Sequence, residues 1–460
     1  MQAMNAELLR RYDVAGPRYT SYPTADRFVD AFGEADYRQA LIQRRASGPG
    51  AALPLSLYVH VPFCESLCYY CACNKIITRH HERATEYLRY LAREAQLHVD
   101  ALGRGAAVSQ LRLGGGSPTF LSDEELGDLM SMLRSHFSLV PGGEFSIEVD
   151  PRTVTAERLQ ALWALGFNRL SFGVQDFDPA VQKAVHRVQP ARQVFELVEA
   201  ARGIGFESIN VDLIYGLPMQ TPESFTRTLA QVNELRPDRI ALYGYAHLPE
   251  RFKPQRRIHA AELPLAGAKL AMLASALNAF EQGGYVYVGM DHFALPEDPL
   301  AVAKRQGRLH RNFQGYSTQP DCDLIALGVS AIGKVGASYS QNAKTLDEYY
   351  DLLSHGHLPV VRGLALTRDD IVRRAVIMAL MCQGEVQFES INLAHLIDFE
   401  SYFATELDTL RGMQGEGLVQ VSAGAVQVTP LGWYFVRGVA MVFDRYLQAD
   451  RNRTRFSRIL

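Results

Sequence analysis

The feature that most limits the fold is a regular alternation between Leu55 and about Tyr245, in which short β-rich runs are separated by amphipathic stretches of helical periodicity. The runs are LSLYVH from Leu55, SQLRLGGG from Ser109, EFSIEVD from Glu144, NRLSFGV from Asn168, SINVDLIYG from Ser208 and RIALYGY from Arg239. Parallel strands need crossover helices, so six such units in succession predict an α/β fold whose parallel sheet curves into a partial (β/α)6 barrel. The helices carry their own start signals. Ser122–Glu125 is a capping box, and Thr221-Pro222 sets a cap before a proline at the first helical position. In such barrels chemistry sits at the C-terminal strand ends. A cluster of cysteines, a triple glycine, Glu148, Gln175 and Asp212 all fall at or just after those ends.

The rest of the chain reads differently. Residues 1–50 form an arm with the turn-rich segment GPRYTSYPTA from Gly16 to Ala25, residues 51–360 the catalytic domain, and residues 361–460 a mainly helical, winged-helix-like cover. In that last part Thr367–Asp370 is a second capping box, a helix follows near Phe399–Arg411, LVQVS and AVQVT make a hairpin, and a final helix ends near Tyr446. Eleven arginines there face eleven acidic residues, and the whole chain has a formal net charge of −3, so no broad surface for nucleic acid is expected. Met1–Asp13 is charged and lacks an apolar core, and nowhere do about 18 uncharged apolar residues run together. A soluble, cytoplasmic monomer without a membrane span is expected.

Of six cysteines, four lie at Cys64, Cys68, Cys71 and Cys73. A secreted disulfide framework would spread them, whereas a tight group points to metal. Three thiolates in a C-x3-C-x2-C loop can hold three irons of a cubane and leave the fourth iron open for a substrate. A structural zinc loop is the alternative, but it asks for a fourth ligand, and no second C-x-x-C pair is present. Cys71-x-Cys73 is too tight to share one metal comfortably, so Cys73 reads as a neighbour. Cys322 and Cys382 read as buried apolar residues.

The loop YVHVPFCESLCYYCACNK, Tyr58–Lys75, resembles that of radical S-adenosylmethionine enzymes, and the resemblance extends along nearly the whole chain to the oxygen-independent coproporphyrinogen III oxidases. It is carried by GPRYTSYPTA, GGGSPTFL, SIEVDPR, NRLSFGVQDF, NVDLIYGLP, YAHLP, GMDHFALP, LHRNFQGYSTQ and the terminal FSRIL. The resemblance implies a [4Fe–4S] cluster on Cys64, Cys68 and Cys71 and two S-adenosylmethionine molecules. It implies cofactor contacts at Tyr58, Tyr70, Gly115, Gly116, Ser117, Glu148, Gln175, Arg187, Asp212, Ala246 and Ile332. The glycine run would offer a bare backbone to the methionine end of the cofactor, and Glu148 a charge-assisted hydrogen bond. Tyr58, His60 and Glu148 are implied at the reacting centre, although His60 also reads as a satisfied buried histidine. Two departures, Tyr70 for phenylalanine and Ser117 for threonine, keep the ring and the hydroxyl.

The implied reaction turns two propionates of coproporphyrinogen III into vinyl groups, with an external electron donor to the cluster. A substrate with four carboxylates calls for cations, for which Arg18, Arg311 and His292 qualify, with Gln314 beside them. Arg18 would pair with a propionate while Tyr19 and Tyr22 cover an apolar pyrrole. A haem-binding chaperone on the same fold would lack the arm motif and Cys73, both present here. A radical methyltransferase is the other reading.

Overall fold

The computed structural model describes Leu8, Arg11, Tyr12, residues 14–47 and residues 53–449; the terminal FSRIL motif lies outside the described residues. Contacts divide the chain into two compact units: residues 28–283 with 322–365, and residues 1–27 with 284–321 and 366–460. These boundaries fall elsewhere than 50/51 and 360/361. The reason lies at Phe28, where the chain changes partners. Phe28 stacks on Tyr339 at 5.7 Å, Val29 exchanges backbone hydrogen bonds with Gly363, and helix Glu34–Ala46 buries Tyr37 and Leu41 in the larger unit.

The larger unit is built on the six expected strands: β1 (Leu55–Val61), β2 (Ala106–Gly115), β3 (Phe137–Val149), β4 (Arg169–Gln175), β5 (Ser208–Tyr215) and β6 (Arg239–Gly244). Each pairs in parallel with the next, so all six C-terminal ends lie at one rim. Between them run the crossover helices, among them Glu82–Leu102, Asp123–His136, Ala191–Ile204 and Pro222–Leu235. The capping box closes as read: Ser122 Oγ accepts from the Glu125 amide while Glu125 reaches back to the Ser122 amide.

The sequence pattern did not foretell what lies beyond β1. There β7 (Leu324–Leu327) pairs with β1 in parallel, and β8 (Ile332–Val335), β9 (Ser338–Asn342) and β10 (Val360–Ala365) follow as antiparallel neighbours. The sheet is therefore mixed. Tightly turned antiparallel strands bury both faces here, as β7 and β9 do along their length, and so lack the alternation that marks a half-buried strand.

In the smaller unit Thr367 caps helix Arg368–Gln383, and the expected hairpin is Val419–Val421 with Ala425–Val428. A third strand, Glu385–Gln387, joins it, and the helix near residue 399 is broken into Phe399–Tyr402 and Ala404–Gly415. This is a small sheet with helices, as expected of a winged-helix-like module. Among the described residues no helix is long and apolar enough to cross a membrane.

Candidate active site

β1 leads directly into the cysteine loop, whose two ends are tied together. Phe63–Cys64 pairs in parallel with Ile76–Ile77; the Ile76 amide donates to Pro62 O at 2.7 Å and the Thr78 amide to Cys64 O at 2.9 Å. Cys68 Sγ accepts from Arg187 Nη1 at 3.5 Å and Arg152 Nη2 at 3.6 Å. Asp150 holds both guanidinium groups, Arg152 at 2.7 Å and Arg187 at 3.2 Å, and its pKa is lowered because these cations outweigh burial. Burial lifts the Cys64 thiol to about 12, with the charges of Cys71 and Cys68 adding to it, whereas a hydrogen bond from Cys73 brings Cys71 down to about 6. Among the described residues no three His, Cys, Asp or Glu side chains surround one point as the ligands of a single ion would. A cubane asks for three thiolates on three separate irons, and three cysteines on one tied loop beside two arginines fit that demand.

The glycine run packs against this loop. The Gly116 amide donates to Val61 O and the Ser117 amide to Phe63 O, both at 2.8 Å. A Cβ at Gly116 would stand 2.6 Å from the Pro62 carbonyl oxygen, one at Gly115 2.7 Å from the His60 ring, and one at Gly114 2.9 Å from the Glu148 carboxylate. The backbone beside Gly116 and the φ of +118° at Gly115 therefore demand glycine at those two positions, whereas the Glu148 carboxylate opposite Gly114 is the end of a flexible side chain that can give way.

His60 lies within this packing. Its Nε2 meets Asn74 O at 3.0 Å and its Nδ1 the Tyr58 hydroxyl at 3.1 Å. A carbonyl only accepts, so Nε2 carries the proton and Nδ1 accepts from Tyr58. Burial lowers the His60 pKa and keeps the ring neutral. Both ring nitrogens are engaged, as in a satisfied buried histidine.

Glu148, near the end of β3, accepts from Arg112 Nη2 at 2.7 Å and from the Gly115 amide at 3.3 Å. Asp212 on β5 accepts from Ser171 and Asn210; burial and then the Glu148 charge raise it to about 6. Gln175 ends β4 at φ +70° beside a register shift, a left-handed residue of the kind that clusters at functional sites. Arg187 Nη2 donates to Gly173 O at 2.7 Å, across a position where a Cβ would block it. Tyr70 packs on Val181, Val185, Leu217, Tyr245 and Ile258. Ala246 follows β6 and Ile332 opens β8, both half-buried.

Sequence reasoning passed over Arg112, Asp150 and Arg152. The signal for Arg112 was its place two residues before Gly114 on the strand paired with that of Glu148. For Asp150 it was Asp-Pro-Arg, since the carboxylate caps the turn by accepting from the Arg152 amide.

The substrate candidates all belong to the smaller unit. Arg18 pairs with Asp291 at 3.0 Å, and Arg311 Nε donates to Arg18 O at 3.3 Å while its guanidinium lies 4.6 Å from the centre of the Tyr316 ring. His292 meets the same ring edge-on at 5.6 Å and donates through Nδ1 to Met290 O. The Gln314 amide donates to Asn312 Oδ1 in the turn joining His310–Asn312 to Gly315–Ser317. Arg311 is 4% exposed, and among the described residues its Nη1 has no hydrogen-bond partner.

Tyr19 and Tyr22 need a correction. They are 1% and 0% exposed; Tyr19 donates its hydroxyl to Asp444 at 2.9 Å, and Tyr22 accepts from the Arg445 amide and tilts against Tyr446. Their rings are spent on the interior of this unit and are not left to cover a pyrrole, because an arm this short gains its order by burying its aromatics.

Comparison with known proteins agrees with this geometry. The family described as "Radical SAM superfamily" matches residues 58–232, and "HemN C-terminal domain" matches residues 366–435. The oxygen-independent coproporphyrinogen III oxidase of Pseudomonas aeruginosa is 50% identical over 99% of this chain and 98% of its own, and that of Escherichia coli K12 48% identical over 98% of each. A solved structure, coproporphyrinogen III oxidase (HemN) from Escherichia coli, described as a radical SAM enzyme, superimposes with a TM-score of 0.91 at 47% identity, covering 97% of this chain and 100% of its own. The chain thus belongs to the radical SAM superfamily and, within it, to the oxygen-independent coproporphyrinogen III oxidases.

Proposed function

We propose that the chain removes two carboxyl groups from coproporphyrinogen III without oxygen, turning two propionates into vinyl groups on the way to haem. The observation that carries this reading is the meeting, at one rim, of the tied cysteine loop, the glycine run and the Glu148–Arg112–Asp212 charge group, in a chain half identical to oxidases of that name along their whole length. When bound, the cluster and S-adenosylmethionine would supply the chemistry that removes a hydrogen atom from the carbon β to a carboxylate, and each loss of carbon dioxide would also pass one electron to an external acceptor. Two propionates call for two S-adenosylmethionine equivalents.

Cys64, Cys68 and Cys71 hold the iron, with Arg152 and Arg187 balancing the thiolate at Cys68. Glu148 and the Gly115–Ser117 backbone hold the methionine end of one cofactor. Tyr58, Tyr70, Gln175, Arg187, Asp212, Ala246 and Ile332 line the cofactor sites. His60, fixed in one tautomer, positions Tyr58 and Gly115 and does not shuttle a proton. Arg311 offers Nη1 to a propionate; Arg18, His292 and Gln314 shape the pocket around it. Residues 1–27 act as the arm, and the chain works in the cytoplasm as a monomer with an external electron donor.

The test is anaerobic incubation of the cluster-loaded protein with coproporphyrinogen III, S-adenosylmethionine and a reductant. Protoporphyrinogen IX with carbon dioxide is expected. A methylated product, or cofactor cleavage without decarboxylation, overturns the reading.

A further inference from the structure

Beside the cysteine loop the larger unit carries a local charge that the chain as a whole does not. Against a formal net charge of −3, the segment His247–His259 holds Arg251, Lys253, Arg256 and Arg257 with Glu250 as its one carboxylate, and all four cations are exposed. This segment is bonded to the loop itself. Gln255 Nε2 donates to Tyr70 O at 3.0 Å, and Arg257 lies 5.3 Å from the centre of the Tyr69 ring and donates to its hydroxyl at 3.5 Å. Tyr69 stacks on His186 at 5.0 Å with the planes 7° apart. Tyr69 and Tyr70 are the residues between Cys68 and Cys71, so the basic segment touches the peptide units that separate two cluster ligands.

Exposed apolar side chains stand close in the chain to residues of this neighbourhood. Val188 is 64% exposed, one residue after Arg187, whose guanidinium reaches Cys68. Leu265 is 82% and Met219 49% exposed. They flank Leu263 and Leu217, which share an apolar cluster with Tyr69 and Tyr70. Besides Glu250, the exposed carboxylates here are Glu65 in the cysteine loop and Glu262, whose carbonyl accepts from the Met219 amide. Apolar spots within a charged rim are the make-up of a transient protein contact.

We propose that the face formed by Tyr69, His186 and the basic segment Arg251–Arg257 is the docking surface for a protein one-electron carrier with an acidic surface, which reduces the cluster there. The inference rests on the proposed radical reaction, which consumes one electron for each cofactor cleaved. Charge decides the occupant: the four cations outnumber the carboxylates of this face, which attracts an acidic partner and steers its approach, and short-lived electron-transfer contacts need only a small area. The step moves one electron. The carrier is oxidised, the cluster is reduced, and no bond or proton changes hands.

Stopped-flow spectroscopy of the cluster-loaded protein reads this directly, as bleaching of the cluster absorption. The donors are a photoreduced acidic ferredoxin and, for contrast, reduced methyl viologen, a small cation. With ferredoxin the second-order rate should fall as salt is raised, and Lys253→Glu combined with Arg256→Glu should lower it about tenfold or more. The reversal should not slow methyl viologen, and Lys253→Arg with Arg256→Lys should keep the wild-type ferredoxin rate. A ferredoxin rate indifferent to salt and to the reversal, in protein that methyl viologen still reduces and that still cleaves S-adenosylmethionine, overturns the docking surface alone. Wild-type protein that takes up no iron and sulfide overturns the radical reading and this proposal with it.

Discussion

The two groups of candidate residues are held in opposite ways. At the rim of the larger unit, peptide groups do the holding: amides of Gly116, Ser117, Ile76 and Thr78 tie the cysteine loop to β1 and β2, and side chains such as Glu148 project from a frame that would stand without them. In the smaller unit side chains hold one another, Arg18 on Asp291, Arg311 on Tyr316, Tyr19 on Asp444. Changes at the rim should therefore remove one function at a time, while changes in the smaller unit should mix binding with stability.

The largest effect is expected at the thiolates. Replacing Cys64, Cys68 or Cys71 with serine should leave a folded protein with almost no iron, and a variant that keeps a full complement of about four irons per chain would break the contrast at its strongest point. Next comes Glu148→Ala, expected to retain iron while S-adenosylmethionine affinity, followed by equilibrium dialysis, falls about tenfold to a hundredfold, the scale of one or two charge-assisted hydrogen bonds. Unchanged affinity would remove Glu148 from the cofactor site.

In the smaller unit Arg311→Ala should raise KM for coproporphyrinogen III about tenfold with kcat less affected, and Arg311→Lys should recover only part of the loss because the fork is gone. Tyr19→Phe strands one acceptor of Asp444 and should cost about 1–2 kcal/mol in urea unfolding, with KM unaltered. A shifted KM with wild-type stability would restore the substrate role that the burial of Tyr19 denies it.

The smallest expected effect concerns Glu94, which is buried in the larger unit and accepts from Tyr349, Asn342 and the Gly328 amide. Burial raises its pKa to about 7 from an ordinary 4.5. The folded protein thus holds this proton more tightly than the unfolded chain, so the stability it contributes is full below about pH 4.5 and is lost as pH rises toward 7. Thermal melts between pH 5 and pH 8 should show that decline, and Glu94→Gln should flatten it.

What was legible follows from range. The six parallel strands alternate with helices every few tens of residues, and that rhythm reads directly from hydrophobic period and caps. β7 to β10 escaped because β7 finds its place beside β1 about 270 positions away, through a pairing that no local pattern announces. Within the site, the cysteines and glycines show themselves through spacing. Arg112, Asp150 and Arg152 did not, because a guanidinium on a strand reads as a solvated charge until its carboxylate is found opposite. Tyr19 and Tyr22 misled for the converse reason: the sequence GPRYTSYPTA shows aromatics that must pack on something, and only the fold shows that they pack on Asp444 and Tyr446.

The tie at the base of the cysteine loop bears on what the loop asks of its metal. The ends of the loop are joined by peptide groups, Ile76 to Pro62 and Thr78 to Cys64, so part of the entropy of closing it is met by the polypeptide and not by the metal. Zinc fingers are the opposite case, in which metal binding and folding are one event. Here the peptide groups carry part of that closure themselves, so the ends of the loop do not depend on the metal alone to be held together.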